Sequence, residues 1–126
     1  MPIPVNQQYM DIPMSPPRTP RDKFEEGAKN DDGKLRYDLI PVRPLAEVAR
    51  VYTIGAKKYS DNNWRKGIKW SRIYAAMQRH ANAWQGGEVL DPETGQHHLS
   101  SVAWCALTLM EYEATHPELD DRADVR

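Results

Sequence analysis

Between Gln78 and Ser101 the chain reads QRHANAWQGGEVLDPETGQHHLSS, and this stretch holds most of its candidates for chemistry. Arg79 and His80 come first, Glu88 and Asp91 follow three apart, and His97 and His98 close it. Carboxylate oxygens suit hard divalent ions such as Mg²⁺ or Mn²⁺, and imidazole nitrogen moves the preference toward Mn²⁺, Fe²⁺ or Zn²⁺. The expected metal set is Glu47, Glu88, Asp91 and His98, with Glu88, Asp91 and His80 as catalytic groups. A bound ion would bridge phosphate oxygens and activate water while nearby cations stabilise the leaving group. The same residues could instead only shape a loop, because Asp91-Pro92-Glu93-Thr94-Gly95 has the composition of a tight turn. The stronger short signatures, HExxH, paired CxxC and the Walker glycine loop, do not occur.

Cations and aromatic rings are spread more widely. Lys29, Lys34 and Arg36 gather around an Asp32-Gly33 turn, and Lys57 and Lys58 end a helical pattern. An Arg fork and a mobile Lys charge could clamp phosphate there, although basic residues in a last helical turn also suit the helix dipole. Asn63 and Trp64 lie in the connection SDNNWRKGIKW, which also carries Trp70. Either indole could cap the core or stack on a nucleobase. The nucleotide-binding set is thus Lys29, Lys34, Arg36, Lys57, Lys58, Asn63, Trp64 and Arg79.

The elements that must position these groups are helical. Leu45, Val48, Ala49, Tyr52, Ala56 and Tyr59 share one face of a helix opened by Pro44, with Glu47 off its centre. Ser71 reads as the N-cap of a second helix whose face runs Ile73, Ala76, Met77, His80, Ala81 and Trp84, stopped by Gly86 and Gly87. In a third helix from His97 the expected inward face is Leu99, Val102, Ala103, Ala106, Leu107, Met110 and Glu113, with His98 and Cys105 on a flank. The fold expected is a small all-α domain of three to four helices with irregular loops, spanning residues 27–115. Residues 1–26, with six prolines in the first 20, read as an extended arm, and residues 116–126 as a frayed end.

Composition narrows the partners. With 17 basic against 18 acidic residues the net charge is -1, which argues against general nucleic-acid binding but leaves room for a local basic pocket. The single Cys105 cannot form an internal disulfide, and no apolar run has the length of a signal peptide or membrane span. A soluble protein of a reducing cytoplasm is the expectation, with no membrane partner.

Three blocks, GAKNDDGKLRYDLIP, IGAKKYSDNNWRKGIKW and RHANAWQGGEVLDPETGQHHL, resemble in order and spacing the N-terminal domain family of phage and prophage dATP/dGTP diphosphohydrolases. The likeness spans about residues 27–113. It implies a pocket for purine deoxynucleotides in a host-cell cytoplasm, shared by Lys29, Lys34, Arg36, Asp38, Lys57, Lys58, Asn63, Arg79, His80, Glu88, Asp91 and His98. Two positions depart from the pattern: Ser101 stands where a further histidine is expected, and Cys105 where Asn is usual. One expectation is therefore a homo-oligomeric pyrophosphohydrolase using Mg²⁺ or Mn²⁺. The other is a metal-free binding protein that sequesters a cyclic-nucleotide or ADP-ribose-like host immune signal without turnover.

Overall fold

The computed structural model describes residues 26–123 and divides the chain after Ile40 into two compact units. The expected Pro-rich arm, apart from Glu26, lies outside the described residues. In the first unit an Asp31–Lys34 turn, with Gly33 at φ 78°, leads to a 3-10 turn at Tyr37–Leu39.

The second unit is all α: α1 is Val42–Lys58, α2 is Trp70–Gln85 and α3 is His98–Thr115. Among the described residues there is no strand, only one isolated bridge between Leu90 and His97. No described helix is long and apolar enough to cross a membrane. α3 is central, packing most extensively on α2 and also on α1.

Capping sets the helix limits. α1 begins at Val42, two residues before Pro44, with Pro41 as its N-cap. α2 begins at Trp70, so Ser71 lies inside the first turn instead of capping it. The capping group comes from far along the chain: Asp121 Oδ1 accepts from the Ser71 amide at 2.9 Å and its Oδ2 from the Ser71 hydroxyl at 2.6 Å. That carboxylate satisfies an orphan amide and sits at the positive end of the helix dipole. At the other end Gly87 takes φ 103°, which lets the Glu88 amide reach back to the Ala83 carbonyl at 3.0 Å.

The core centres on Trp70, Ile73, Cys105 and Tyr112, with Ile68, Met77, Trp104 and Leu119 packed around them. Two expectations are corrected here. On α3 the buried line is His98, Cys105, Thr108 and Tyr112, while Leu99, Leu107 and Met110 of the expected inward face are exposed. The C-terminal segment is not frayed through Ala123. A 3-10 turn at Pro117–Leu119 brings Leu119 into the core, and the His116 carbonyl accepts from Trp70 Nε1 at 3.1 Å. His116 Nε2 also meets the Arg65 carbonyl at 2.7 Å, so the segment clasps both the start of α2 and the loop before it.

Candidate functional site

Four side chains from α2, α3 and the loop between them form a polar chain. His98, at the first position of α3 and 4% exposed, places Nε2 2.7 Å from Glu88 Oε1 and Nδ1 2.9 Å from Nδ1 of His80 on α2. Asp91 Oδ2 stands 4.0 Å from the same His80 nitrogen. Hydrogen bonds within the loop hold Asp91. Asp91 Oδ1 accepts from the Glu93 amide at 2.9 Å, and the Asp91 backbone bonds both Gln96 and Gly95, which takes φ 76°. His97 fixes the helix start by accepting from the Leu99 amide through Nδ1 at 3.0 Å.

Two facing imidazole nitrogens need one proton between them. A self-consistent assignment has His98 donate from Nε2 to the Glu88 carboxylate and accept at Nδ1 from His80, leaving His80 Nε2 with a lone pair. Burial, then the neighbouring His98, hold the His80 pKa below the ordinary histidine value, against the pull of Asp91. His80 is thus a neutral base at neutral pH.

The same atoms form a set of metal donors, since His80, Asp91 and His98 each offer one ligand atom within 4.8 Å of the others. Adjacent donors around an ion at about 2.1 Å stand roughly 3 Å apart, as the two Nδ1 atoms do. Glu88, expected as a ligand, instead faces the outer nitrogen of His98, the place of a carboxylate that orients a ligating histidine. Glu47 is outside the cluster and pairs with Arg50 at 3.5 Å on its own helix.

His80 also lines a cavity of about 1120 Å³ between the end of α1, the 3-10 turn at Asn63–Lys66, α2 and α3. Tyr52, Trp64 and Trp104 give it an aromatic wall, with ring centroids 5.7 Å apart for Tyr52–Trp64 and 5.8 Å for Tyr52–Trp104. Lys58, Asn62, Asn63 and Arg65 are polar groups on its lining, and the Arg65 guanidinium lies 4.3 Å over the Trp64 ring. Ser101 and Cys105, the two departures from the family pattern, line it as well. Burial pushes the Cys105 thiol up to about 11.

Of the nucleotide-binding set, Lys58, Asn63 and Trp64 therefore meet around this cavity together with the catalytic candidate His80. Lys57 and Arg79 are exposed and do not line it. Lys29, Lys34 and Arg36 belong to the first unit, where Arg36 is held by Asp38 through two contacts of 2.8 and 2.7 Å. Trp70, the other stacking candidate, is a buried core residue. Tyr52, Trp104 and Arg65 were not singled out from sequence. Tyr52 and Trp104 sit in helical patterns that read as ordinary packing, and Arg65 was hidden among turn-forming residues.

The family model described as dATP/dGTP diphosphohydrolase, N-terminal, matches residues 25–122. The chain belongs to this family. The match runs through the C-terminal clasp, so the Asp121 cap lies inside the dATP/dGTP diphosphohydrolase N-terminal domain. A protein of Salmonella phage PMBT28 described as dATP/dGTP diphosphohydrolase is 38% identical over 96 residues, which cover 76% of this chain and 33% of that protein. The chain thus spans about a third of that relative's length. No solved structure gives a match.

Proposed function

We propose that this family member binds a purine deoxynucleoside triphosphate in the aromatic-walled cavity and hydrolyses it to the monophosphate and pyrophosphate in the host cytoplasm. The observation that carries this reading is the junction at His80. One imidazole belongs both to the Glu88–His98 chain and to a cavity with stacking rings and cations. Trp64, Tyr52 or Trp104 would stack the base, since every base offers a π-face. Lys58 and Arg65 would hold phosphate oxygens, with Arg suited to two at once.

With no ion bound, His80 Nε2 would be the lone pair that takes the proton of the attacking water. His98 would hold the ring in the right tautomer and Glu88 would balance the charge that develops, the division of labour seen wherever one base is oriented by a second group. Mg²⁺ or Mn²⁺ held by His80, Asp91 and His98 would instead supply the activation itself, by polarising the phosphate and lowering the pKa of water, and His80 would then serve as a ligand and not as the base. Asp91 is then a ligand and Glu88 a group that positions His98.

The full chain incubated with dATP or dGTP and Mg²⁺ or Mn²⁺ is expected to release monophosphate and pyrophosphate, and His80→Ala to abolish release while keeping nucleotide binding. Intact nucleotide recovered with the denatured protein would overturn hydrolysis and leave the metal-free binding reading. That second reading is favoured by Ser101 standing on the cavity wall where a histidine was expected.

A further inference from the structure

Arg36 and Arg122 are each taken up by a carboxylate two residues away, through both Nε and Nη2. Arg65 is held differently. Its Nε donates to the neutral Asn62 Oδ1 at 3.2 Å, and its guanidinium lies 4.3 Å over the Trp64 ring. Among the described residues neither of its Nη atoms takes a hydrogen bond or an ion pair. The side chain is thus fixed in place with its charge unanswered, on the lining of the cavity that also carries Lys58.

The backbone beneath is anchored as well. The Arg65 amide donates to the Asn62 carbonyl at 2.9 Å, the Arg65 carbonyl meets His116 Nε2 at 2.7 Å, and the Trp64 carbonyl accepts from the Tyr112 hydroxyl. Asn62 itself takes φ 60°, the one non-glycine residue at positive φ among the described residues. Glycine adopts that conformation more easily, so what asparagine adds here is the oxygen that meets Nε.

We propose that Asn62, Trp64 and Arg65 form the phosphate subsite of the cavity, with Asn62 the positioning residue that aims the Nη groups of Arg65 at the anion. The inference rests on the reading that a nucleotide binds there. A guanidinium tethered at Nε and stacked on a ring is already ordered before the ligand arrives, so less freedom is lost on binding. Its remaining N–H donors are all on Nη and match two oxygens of one phosphate. Trp64 then supports Arg65, because a base stacking on that face would have to displace the guanidinium, and the base is left to Tyr52 or Trp104. Asp61 and Glu111 also line the cavity, so the anion is drawn by the shape of the fork and not by a general positive field.

Calorimetry on the full chain tests this with two ligands, an α,β-methylene analogue of dATP that resists cleavage and deoxyadenosine, which has no phosphate. Asn62→Gly keeps the left-handed backbone and removes the tether. It should weaken the analogue about 5-fold, the worth of one neutral hydrogen bond, while deoxyadenosine binds as before. Arg65→Lys keeps the charge and loses the fork, and should weaken the analogue at least as much. In an Arg65→Ala chain the further change Asn62→Gly should do nothing, since no guanidinium is left to aim. Equal losses for the two ligands would make Asn62 merely structural and overturn the proposal. So would an unchanged affinity in Asn62→Gly, or a further loss in the Arg65→Ala background. If Asn62→Gly fails to fold, Arg65→Lys decides: it must weaken the analogue and spare deoxyadenosine. A native chain that binds both ligands equally overturns the phosphate subsite alone, whereas one that binds neither overturns the nucleotide reading beneath it.

Discussion

Tyr112→Phe removes one atom from the most buried side chain of the core and should be felt in the cavity. Tyr112 is 0% exposed and its hydroxyl donates to the Trp64 carbonyl, joining α3 to the loop that carries Asn63, Trp64 and Arg65. Phenylalanine fills nearly the same volume and the Trp64 carbonyl keeps the Gly67 amide at 3.2 Å, so the cost is the one lost hydrogen bond, about 1–1.5 kcal/mol. For a helical unit of this size that is a fall in Tm of about 5–12 °C. Urea unfolding should show the midpoint moving down at constant slope, since little surface changes. The control is Thr108→Val on the same buried line. Thr108 is also 0% exposed, but its hydroxyl reaches only Tyr52 Oη at 3.5 Å, too long for a strong bond. Its loss should cost well under the Tyr112 variant. If the two variants fall equally, or Tyr112→Phe costs less than ~0.3 kcal/mol, the hydroxyl does not anchor the loop. Nucleotide affinity, if the loop is held this way, should weaken with Tyr112→Phe and not with Thr108→Val.

Gly67→Ala should destabilise by about 1–3 kcal/mol, because its φ of 102° is unfavourable for a side chain and an added Cβ would stand 2.6 Å from Leu119 Cδ1; an unchanged Tm would refute this. Stability should also depend on His116, whose two ring nitrogens face the Glu118 carboxylate at 2.8 Å and the Arg65 carbonyl at 2.7 Å. The Glu118 bond, then the Arg65 carbonyl, raise its pKa above the ordinary histidine value, so the stabilisation is full below that value and lost as pH rises through the folded one. The Tm gap between the native chain and His116→Gln should therefore narrow between pH 6 and 8.5, and a widening gap would contradict it. Cys105, 2% exposed with its thiol pushed up to about 11, should resist a thiol reagent at pH 8 in the native protein and react promptly in urea.

The sequence was legible where local chemistry decides the outcome. Helix positions followed from periodicity, and the Asp91–Gly95 turn follows from Asp and Gly preferences alone. The facing of α3 was not legible, because a helix apolar on all sides carries no periodic signal for its inner side; Thr108 and Ser100 are buried while Leu107 is not. The Asp121 cap on α2 and the His116 bond to Arg65 were equally hidden, since each joins residues about 50 apart through polar atoms. In the candidate site, the proximity of His80, Glu88, Asp91 and His98 was readable from their shared stretch. The order within it was not, because which nitrogen faces which carboxylate is set by the angle between α2 and α3.

The four tryptophans occupy three optical environments. Trp70 is sealed in the core, Trp84 is 42% exposed, and Trp64 and Trp104 stand on the cavity wall. Indole emission shifts blue and escapes dissolved iodide as water is displaced, so a molecule entering the cavity should silence quenching of Trp64 and Trp104 while Trp70 stays dark to iodide throughout. The protein carries its own label-free gauge of occupancy, one whose signal originates at the wall where the base is proposed to lie.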